Sequence, residues 1–250
     1  CELIEREKPG HIHFAFDESL DSNFLNRLYP AYKANRDPAP LELKRQFGYC
    51  KQICRALGFS VLANGEYEAD DLIGTALTHA RAAGKPSLIL SADKDLSQLL
   101  GEHDVQWDYA KNERWQLAGV KAKHGVHAHQ LADYLGLTGD AVDNIPGVPG
   151  IGPKTAATLL SHFGSLDTLL EKLDELPYLR LRSAALHAAR LREHRDMALL
   201  CRNLATIRCD APMPDNHHDG VRQATDTDAL TALIQQLRVR PLTRRRLLSL

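Results

Sequence analysis

The chain has 250 residues, 44% of them hydrophobic, with a formal net charge of −1, so it can bury a substantial core as one large domain or two smaller ones. No run of about 18 apolar residues occurs, so no membrane span is supported, and the start Cys1-Glu2-Leu3-Ile4-Glu5-Arg6 is too charged for a secretory signal, so a cytoplasmic location is the default expectation. The balance also argues against a simple cationic nucleic-acid binder, yet base is concentrated in two places. Residues 27 to 55 carry Arg27, Lys33, Arg36, Lys44, Arg45, Lys51 and Arg55 against Asp37 and Glu42, and residues 180 to 208 carry seven arginines. Each stretch reads either as a solvated helix face or as a surface that follows phosphates.

In chain order, Gly10 to Phe16 predicts a buried strand ending at Asp17. Residues 40 to 57 predict a helix whose apolar face holds Leu43, Phe47, Cys50, Ile53, Cys54 and Leu57. With five cysteines and no Cys-x-x-Cys pair, Cys50 and Cys54 are expected to be reduced core thiols. A strand at Phe59 to Leu62, a helix over 68 to 83 and a strand at Ser87 to Leu90 follow. Then come a short helix after Asp95 and a hairpin through Val105 to Tyr109 and Arg114 to Leu117. The second half is almost wholly helical, with its most mobile stretch expected at 210 to 227 and a helix near 228 to 238 capped by Asp226 or Thr227. Alternating strands and helices predict an α/β fold with a mostly parallel central sheet flanked by helices, ahead of a helical C-terminal region. The change of class near residue 120 divides the chain into a core at 1–120 and a helical region at 121–250.

Acidic residues collect at the strand ends and helix starts: Asp17, then Glu68, Asp70 and Asp71, then Asp93 and Asp95, then Asp140 and Asp143. In α/β folds ligands bind beyond the carboxyl ends of the strands. Glu68 and Asp71, three apart, share a helical face, with Asp70 rotated away. Each cluster alone can be a helix cap or a turn; all four together point to divalent metal, because gathered carboxylates without cations repel and protonate. All-oxygen ligation selects Mg²⁺ or Mn²⁺ over zinc, and none of the twelve histidines, His124, His127, His129, His217 and His218 among them, is expected to bind metal. Two such ions can activate water and stabilise the leaving oxygen of a phosphodiester.

Asp140 and Asp143 run directly into Asn144-Ile145-Pro146-Gly147-Val148-Pro149-Gly150-Ile151-Gly152-Pro153-Lys154-Thr155. Gly150 and Gly152 precede a helix that Pro153 opens, so backbone N–H groups, the helix dipole and Lys154 can hold a phosphate without reading a base. The flanking apolar segments make this a helix-hairpin-helix signature rather than a Walker loop. On the basic helix read over the 30s, Lys33 and Arg36 can neutralise charge building on a phosphate, and Tyr32 either stacks on an unpaired base or packs beneath them.

The chain resembles the bacterial 5′-nuclease family, meaning the 5′-3′ exonuclease domain of DNA polymerase I and its free-standing flap-endonuclease relatives. The matching residues, in the family's order, are Phe16-Asp17, Tyr32-Lys33-Ala34-Asn35-Arg36, Glu68-Ala69-Asp70-Asp71, Ala92-Asp93-Lys94-Asp95, Leu137 to Val148, and Gly150 to Ala156. The resemblance spans residues 12 to 205 and implies a PIN-like 5′-nuclease fold with a helical arch at about 25–47 and a helix-hairpin-helix at about 135–162. It implies that Asp17, Glu68, Asp70, Asp71, Asp93 and Asp95 form the first metal site and its shell, and that Asp140 and Asp143 complete the second. It further implies that Lys33 and Arg36, in a mobile arch, contact the scissile phosphate. The hairpin residues Gly147, Gly150, Gly152, Lys154 and Thr155 would grip duplex DNA with a bound K⁺, and Tyr32 would touch the DNA. Family members begin with an apolar strand carrying a further metal-binding Asp; nothing like it precedes His11, so a longer protein is expected. The end soon after Arg244-Arg245-Arg246, with no polymerase region, suggests a free-standing enzyme, with a domain excised from a larger protein as the alternative.

The expected function is a monomeric, Mg²⁺- or Mn²⁺-dependent, structure-selective 5′ nuclease acting on DNA flaps, nicks or 5′ ends in replication and repair. The alternative is a duplex- or flap-binding protein with little catalysis. A ribonuclease of related acidic-site type is disfavoured by the helix-hairpin-helix.

Overall fold

The computed structural model describes residues 1–18, 23–214 and 218–250, with the backbone alone at 218; the tip of the expected mobile stretch, including His217, lies outside the described residues. The elements are α1 (Glu2–Glu7), β1 (His13–Asp17), α2 (Phe24–Leu28), α3 (Leu41–Ala56), β2 (Ser60–Asn64), α4 (Ala69–Ala82) and β3 (Leu88–Leu90). There follow β4 (Val105–Asp108), β5 (Glu113–Gln116), α5 (Leu117–His124), α6 (Leu131–Thr138), α7 (Pro153–Phe163), α8 (Leu166–Glu171), α9 (Ala184–Glu193), α10 (Arg195–Ala205), α11 (Thr227–Gln236) and α12 (Pro241–Ser249). They form two compact units, one of residues 1–23, 37–79 and 209–250, the other of residues 24–36 and 80–208.

In the first unit β1 and β2 run parallel, in register from His13 opposite Ser60 to Asp17 opposite Asn64. β2 is buried at Ser60, Val61 and Leu62, whereas β1 is half-buried, not buried as its apolar run predicts. Leu230, Leu233 and Ile234 of α11 and Leu247 of α12 close on Ala56, Leu57 and Phe59. Asp226 caps α11, its side chain accepting the Ala229 N–H at 2.9 Å, as its position before the apolar run predicts.

α3 has the expected bounds but not the expected burial. Its residues in this core begin at Tyr49 and include Ile53, Cys54 and Ala56, while Leu41, Leu43 and Phe47 are exposed and so is Cys50. Cys50 is therefore a surface thiol. Cys54 packs as predicted, and burial pushes its thiol up to about 11.

The second unit holds a three-stranded sheet with β3 parallel to β4 and β4 antiparallel to β5. The single sheet expected from the sequence is thus two sheets among the described strands: the apolar pattern marks strands but does not say which edges pair. A buried polar chain ties this sheet to the loop that follows β3. Trp115 Nε1 donates to Ser97 Oγ at 3.0 Å, Ser97 Oγ donates to Gln106 Oε1 at 2.7 Å, and Gln106 Nε2 donates to the Asp93 carbonyl at 2.6 Å. Each buried polar group thereby gains a partner, and the Asp93-Lys94-Asp95 turn is held from below. The helical part centres on α6 and α10, whose Leu135, Cys201, Leu204 and Ala205 pack with Leu25, Tyr32 and Ile145.

Candidate metal and nucleic-acid site

The acidic residues of the first unit are organised around the start of α4. Asp17, exposed at the end of β1, accepts the Ala69 N–H through Oδ1 at 2.8 Å. Asp71, 4% exposed, accepts the Glu68 N–H at 3.0 Å, and Asn23 Nδ2 donates to Glu68 Oε1 at 2.8 Å. Glu68 lies just before α4 rather than in its first turn, and it meets Asp71 through its backbone N–H. Asp17 and Asp71 also satisfy two of the N–H groups a helix start leaves without intrahelical acceptors, so the capping role is real whatever else they do. Asp70 stands beside them, half-buried. Asn23 gave no signal in the sequence.

In the second unit Asp93 and Asp95 lie on a turn after β3, where Asp93 Oδ1 accepts the Asp95 N–H at 2.9 Å. Lys94 bridges this turn to the next cluster, its ammonium 3.3 Å from Asp95 Oδ1 and 2.5 Å from Asp140 Oδ2. Asp95 Oδ1 is buried and has no hydrogen-bond partner. Burial, with further repulsion from Asp93 and Asp140, pushes the Asp95 carboxyl up to about 6 against the pull of Lys94. Burial pushes Asp140 up too, but the Lys94 ammonium and the Val142 N–H outweigh it and hold that carboxyl below its usual range. Burial likewise opposes the charge on Lys94, and the hydrogen bond to Asp140 with the attraction of Asp95 and Asp140 overrides it, raising the ammonium.

Asp143 is the second hub. Arg36 pairs with its Oδ1, Lys33 Nζ stands 3.8 Å from its Oδ2, and the Tyr32 hydroxyl donates to Oδ2 at 3.3 Å. The backbone is stitched as well: Lys33 N–H donates to the Asp143 carbonyl at 2.9 Å, Asn35 Nδ2 to the Ala141 carbonyl at 2.9 Å, and Asn144 Nδ2 to the Ala31 carbonyl at 2.6 Å. These contacts correct the reading of residues 30–36. Lys33 and Arg36 are not on a helix, nor on a free arch; they lie in a run of turns with Lys33 at φ 54°, fastened to the 140–145 loop. Pro30, Pro38 and Pro40 explain it, because each biases its predecessor away from the helical region. Tyr32 is 3% exposed and belongs to the core around Leu135 and Cys201, so its ring packs beneath Lys33 and offers no face for a base.

The hairpin between α6 and α7 opens with a reciprocal bridge, Asp140 N–H to the Ile145 carbonyl and Ile145 N–H to the Asp140 carbonyl, both 2.8 Å. Gly147 is buried at φ 66°, and its N–H donates to Cys201 Sγ at 3.3 Å. This glycine serves the fold of the hairpin, and its N–H is not available to DNA. Gly152 stands at the N-cap of α7 with Pro153 at the first helical position, as predicted. Gly150, Gly152 and Lys154 are exposed and Thr155 is half-buried, at a helix end whose first N–H groups have no intrahelical acceptor.

The donor set fits a hard divalent cation in its chemistry: it is all carboxylate, and the buried Asp95 Oδ1 is met only by the Lys94 ammonium at 3.3 Å, with no aligned hydrogen bond. As placed, the acids are closed on Lys94, Lys33 and Arg36, and among the described residues no three His, Cys, Asp or Glu side chains gather closely enough to hold an ion. The lysine and arginine cations meet the charge that a metal would otherwise meet. Among the described residues no helix is long and apolar enough to cross a membrane.

Parallel α/β layers with carboxylates at strand ends, and a helix-hairpin-helix in the helical half, define an acidic-site α/β protein with an appended helical hairpin region. Residues 1–125 match the family described as 5′-3′ exonuclease, N-terminal resolvase-like domain, and residues 126–228 match 5′-3′ exonuclease, C-terminal SAM fold. The chain belongs to the 5′-3′ exonuclease family. It is 38% identical over 237 residues to DNA polymerase I of Rhizobium leguminosarum, covering 95% of this chain and 23% of that protein. It is also 38% identical over 216 residues to flap endonuclease Xni of Pectobacterium carotovorum subsp. carotovorum (strain PC1), covering 86% of this chain and 80% of that protein. The chain thus spans about a quarter of the length of the DNA polymerases I it matches, 23% and 26% for two of them. Among solved structures, T5 5′-exonuclease with bound divalent zinc superposes with TM-score 0.70 at 21% identity, covering 95% of this chain and 86% of that one. The catalytic core of Rad2 in complex with DNA substrate superposes with TM-score 0.58 at 14% identity, covering 94% and 75%. At these identities the likeness shows the fold, which is that of the 5′ nucleases.

Proposed function

We propose that this chain is a metal-dependent, structure-selective 5′ nuclease that hydrolyses DNA phosphodiester bonds at 5′ ends, nicks or flaps during replication and repair, as a cytoplasmic monomer. The observation that carries the reading is the gathering of the half-buried Asp95 and Asp140 carboxylates about a single cationic position, held here by Lys94, in a chain of this family. Asp17, Glu68, Asp70 and Asp71, and likewise Asp93, Asp95, Asp140 and Asp143, are the residues that would offer oxygen ligands to the metal. Bound Mg²⁺ or Mn²⁺ supplies an activated water and neutralises the leaving oxygen.

The protein's own groups orient the DNA. Lys33 and Arg36, held against Asp143 in the described chain, transfer their charge to the scissile phosphate when it arrives, which a pinned turn does with little loss of entropy. Gly150, Gly152, Lys154 and Thr155 grip the duplex backbone with K⁺ bound at the hairpin. The nuclease part is assigned to residues 1–120 and the duplex-gripping part to 121–250. Initial rates on a 5′ flap, a nick, a recessed 5′ end, single-stranded DNA and matched RNA test the reading. A strong preference for branched or nicked DNA over single strands and RNA supports it, and equal rates on all five overturn it. One observation favours the second reading, a DNA-binding protein with little catalysis: no three ligands stand together among the described residues. Tight flap binding without turnover would establish that reading instead.

A further inference from the structure

We propose that Arg190 is an additional DNA-backbone contact, seated on the helix-hairpin-helix by Gly150; this rests on the DNA reading above. Arg190 lies in the last turn of α9, forty residues along the chain from the hairpin it meets. The helix is firmly placed, since His187, Ala188 and Leu191 on its inner face are buried. Its guanidinium occupies the notch left by the missing side chain of Gly150: a Cβ at that position would collide with Arg190 Nη1 and Cζ. Gly150 also sits at φ +78°, where L side chains are strained. The glycine is needed to admit the arginine as well as to turn the chain.

The other arginines of α9 and α10 are committed. Arg192 pairs with Asp174, Arg195 donates to the Leu170 carbonyl at 3.0 Å, and Arg202 pairs with Asp167 at 2.6 Å and lies 3.6 Å from Asp133. Arg190 is half-buried and, among the described residues, makes no hydrogen bond and no ion pair. A half-buried guanidinium with five idle donors favours an anion. Beside it, exposed Gly152 and Lys154 open α7, the kind of helix start that receives phosphate. A duplex backbone lying there meets Lys154 as a point charge and Arg190 as a fork able to take two phosphate oxygens. An acidic protein segment would match the charge but would leave the backbone N–H groups of the hairpin without a repeating partner, which a phosphate chain provides.

The test is equilibrium binding of the 250-residue chain to a fluorescent 5′-flap duplex in EDTA at fixed K⁺, with NaCl varied. Arg190→Gln is expected to weaken binding about ten-fold and to lower the slope of log Kd against log salt by about one contact, equally on unrelated sequences. Arg190→Lys restores the slope and only part of the affinity, because the charge returns without the fork; a purely structural role would not change the slope. If the wild-type chain binds and Arg190→Gln keeps both its affinity and its slope, the assignment is wrong while the nuclease reading stands. If the wild-type chain does not bind flap DNA, both fall.

Discussion

Replacing Gly147 by alanine separates the structural role of the hairpin from its proposed contact role. Gly147 sits at φ +66°, and a Cβ would lie 2.8 Å from Gly139 Cα and closer still to neighbouring backbone atoms of Thr138 and Gly139. Alanine in the left-handed region costs about 1–2 kcal/mol. The overlap is with backbone, so the hairpin must shift, and the buried Gly147 N–H then leaves Cys201 Sγ, 3.3 Å away, which costs about 1–3 kcal/mol for an unsatisfied donor. The sum is roughly 2–5 kcal/mol, or a melting midpoint lower by about 4–20 °C for a chain of this size. Thermal and urea unfolding followed by circular dichroism measure it. Gly48→Ala is the control: this helical glycine has nothing within 4 Å of its would-be Cβ, and the change is expected to stabilise by about 0.5–1 kcal/mol. Gly147→Ala within about 1 kcal/mol of wild type would refute the reasoning.

Lys33→Ala is expected to lower kcat by about 10²–10³, as for loss of a group that stabilises transition-state charge, and to change flap affinity far less; single-turnover rates with binding isotherms decide it, and equal losses in both contradict the role. The Asp95 carboxyl, pushed up to about 6 by burial, keeps its proton in the folded chain to a higher pH than in the unfolded chain, where it ionises near pH 3.9. Between these values the folded state binds the more protons, so in EDTA this group makes stability fall as pH rises from about 4 through 6, by about 1–2 kcal/mol after allowing for its partial exposure. Asp95→Asn removes that slope in pH-dependent unfolding, and an unchanged slope would be incompatible with the assignment. Saturating Mn²⁺ is expected to raise the melting midpoint through about 2.7 kcal/mol of linkage at a hundred-fold excess over Kd; Asp140→Asn should abolish the rise, and a rise that survives it places the ion elsewhere.

Much of the frame was legible in the sequence because it rests on local pattern. The start of α7 at Gly152-Pro153, the Asp226 cap and the β4–β5 hairpin all follow from residues adjacent in the chain. Periodicity found α3 but could not say what covers it, and Leu43 and Phe47 proved exposed. The spacing of Lys33 and Arg36, three apart, suggests a helix, whereas in the fold Pro30 and Pro38 bracket the segment and the bonds to Asp143 hold it as turns. At the candidate site the acids were visible, but their partners were not. Lys94 sits between two of them as an unremarked residue of its motif, and Gln106 reaches Asp93 from a strand. Arg190 was only one of a basic stretch, since its seat on Gly150 depends on packing across distant segments. Tyr32 shows the limit of residue type, because an aromatic beside basic residues serves equally as a stacking face or as core, and only burial separates the two.

The most direct measurement is cleavage of a 5′-labelled DNA flap by this chain with Mg²⁺, with Mn²⁺ and with EDTA, the products sized to the nucleotide and Asp140→Asn run alongside. The account predicts cutting next to the flap junction with either metal, none in EDTA, and a severe loss in the variant. Cutting that persists in EDTA, or flap binding with no cutting under any of these conditions, would contradict it.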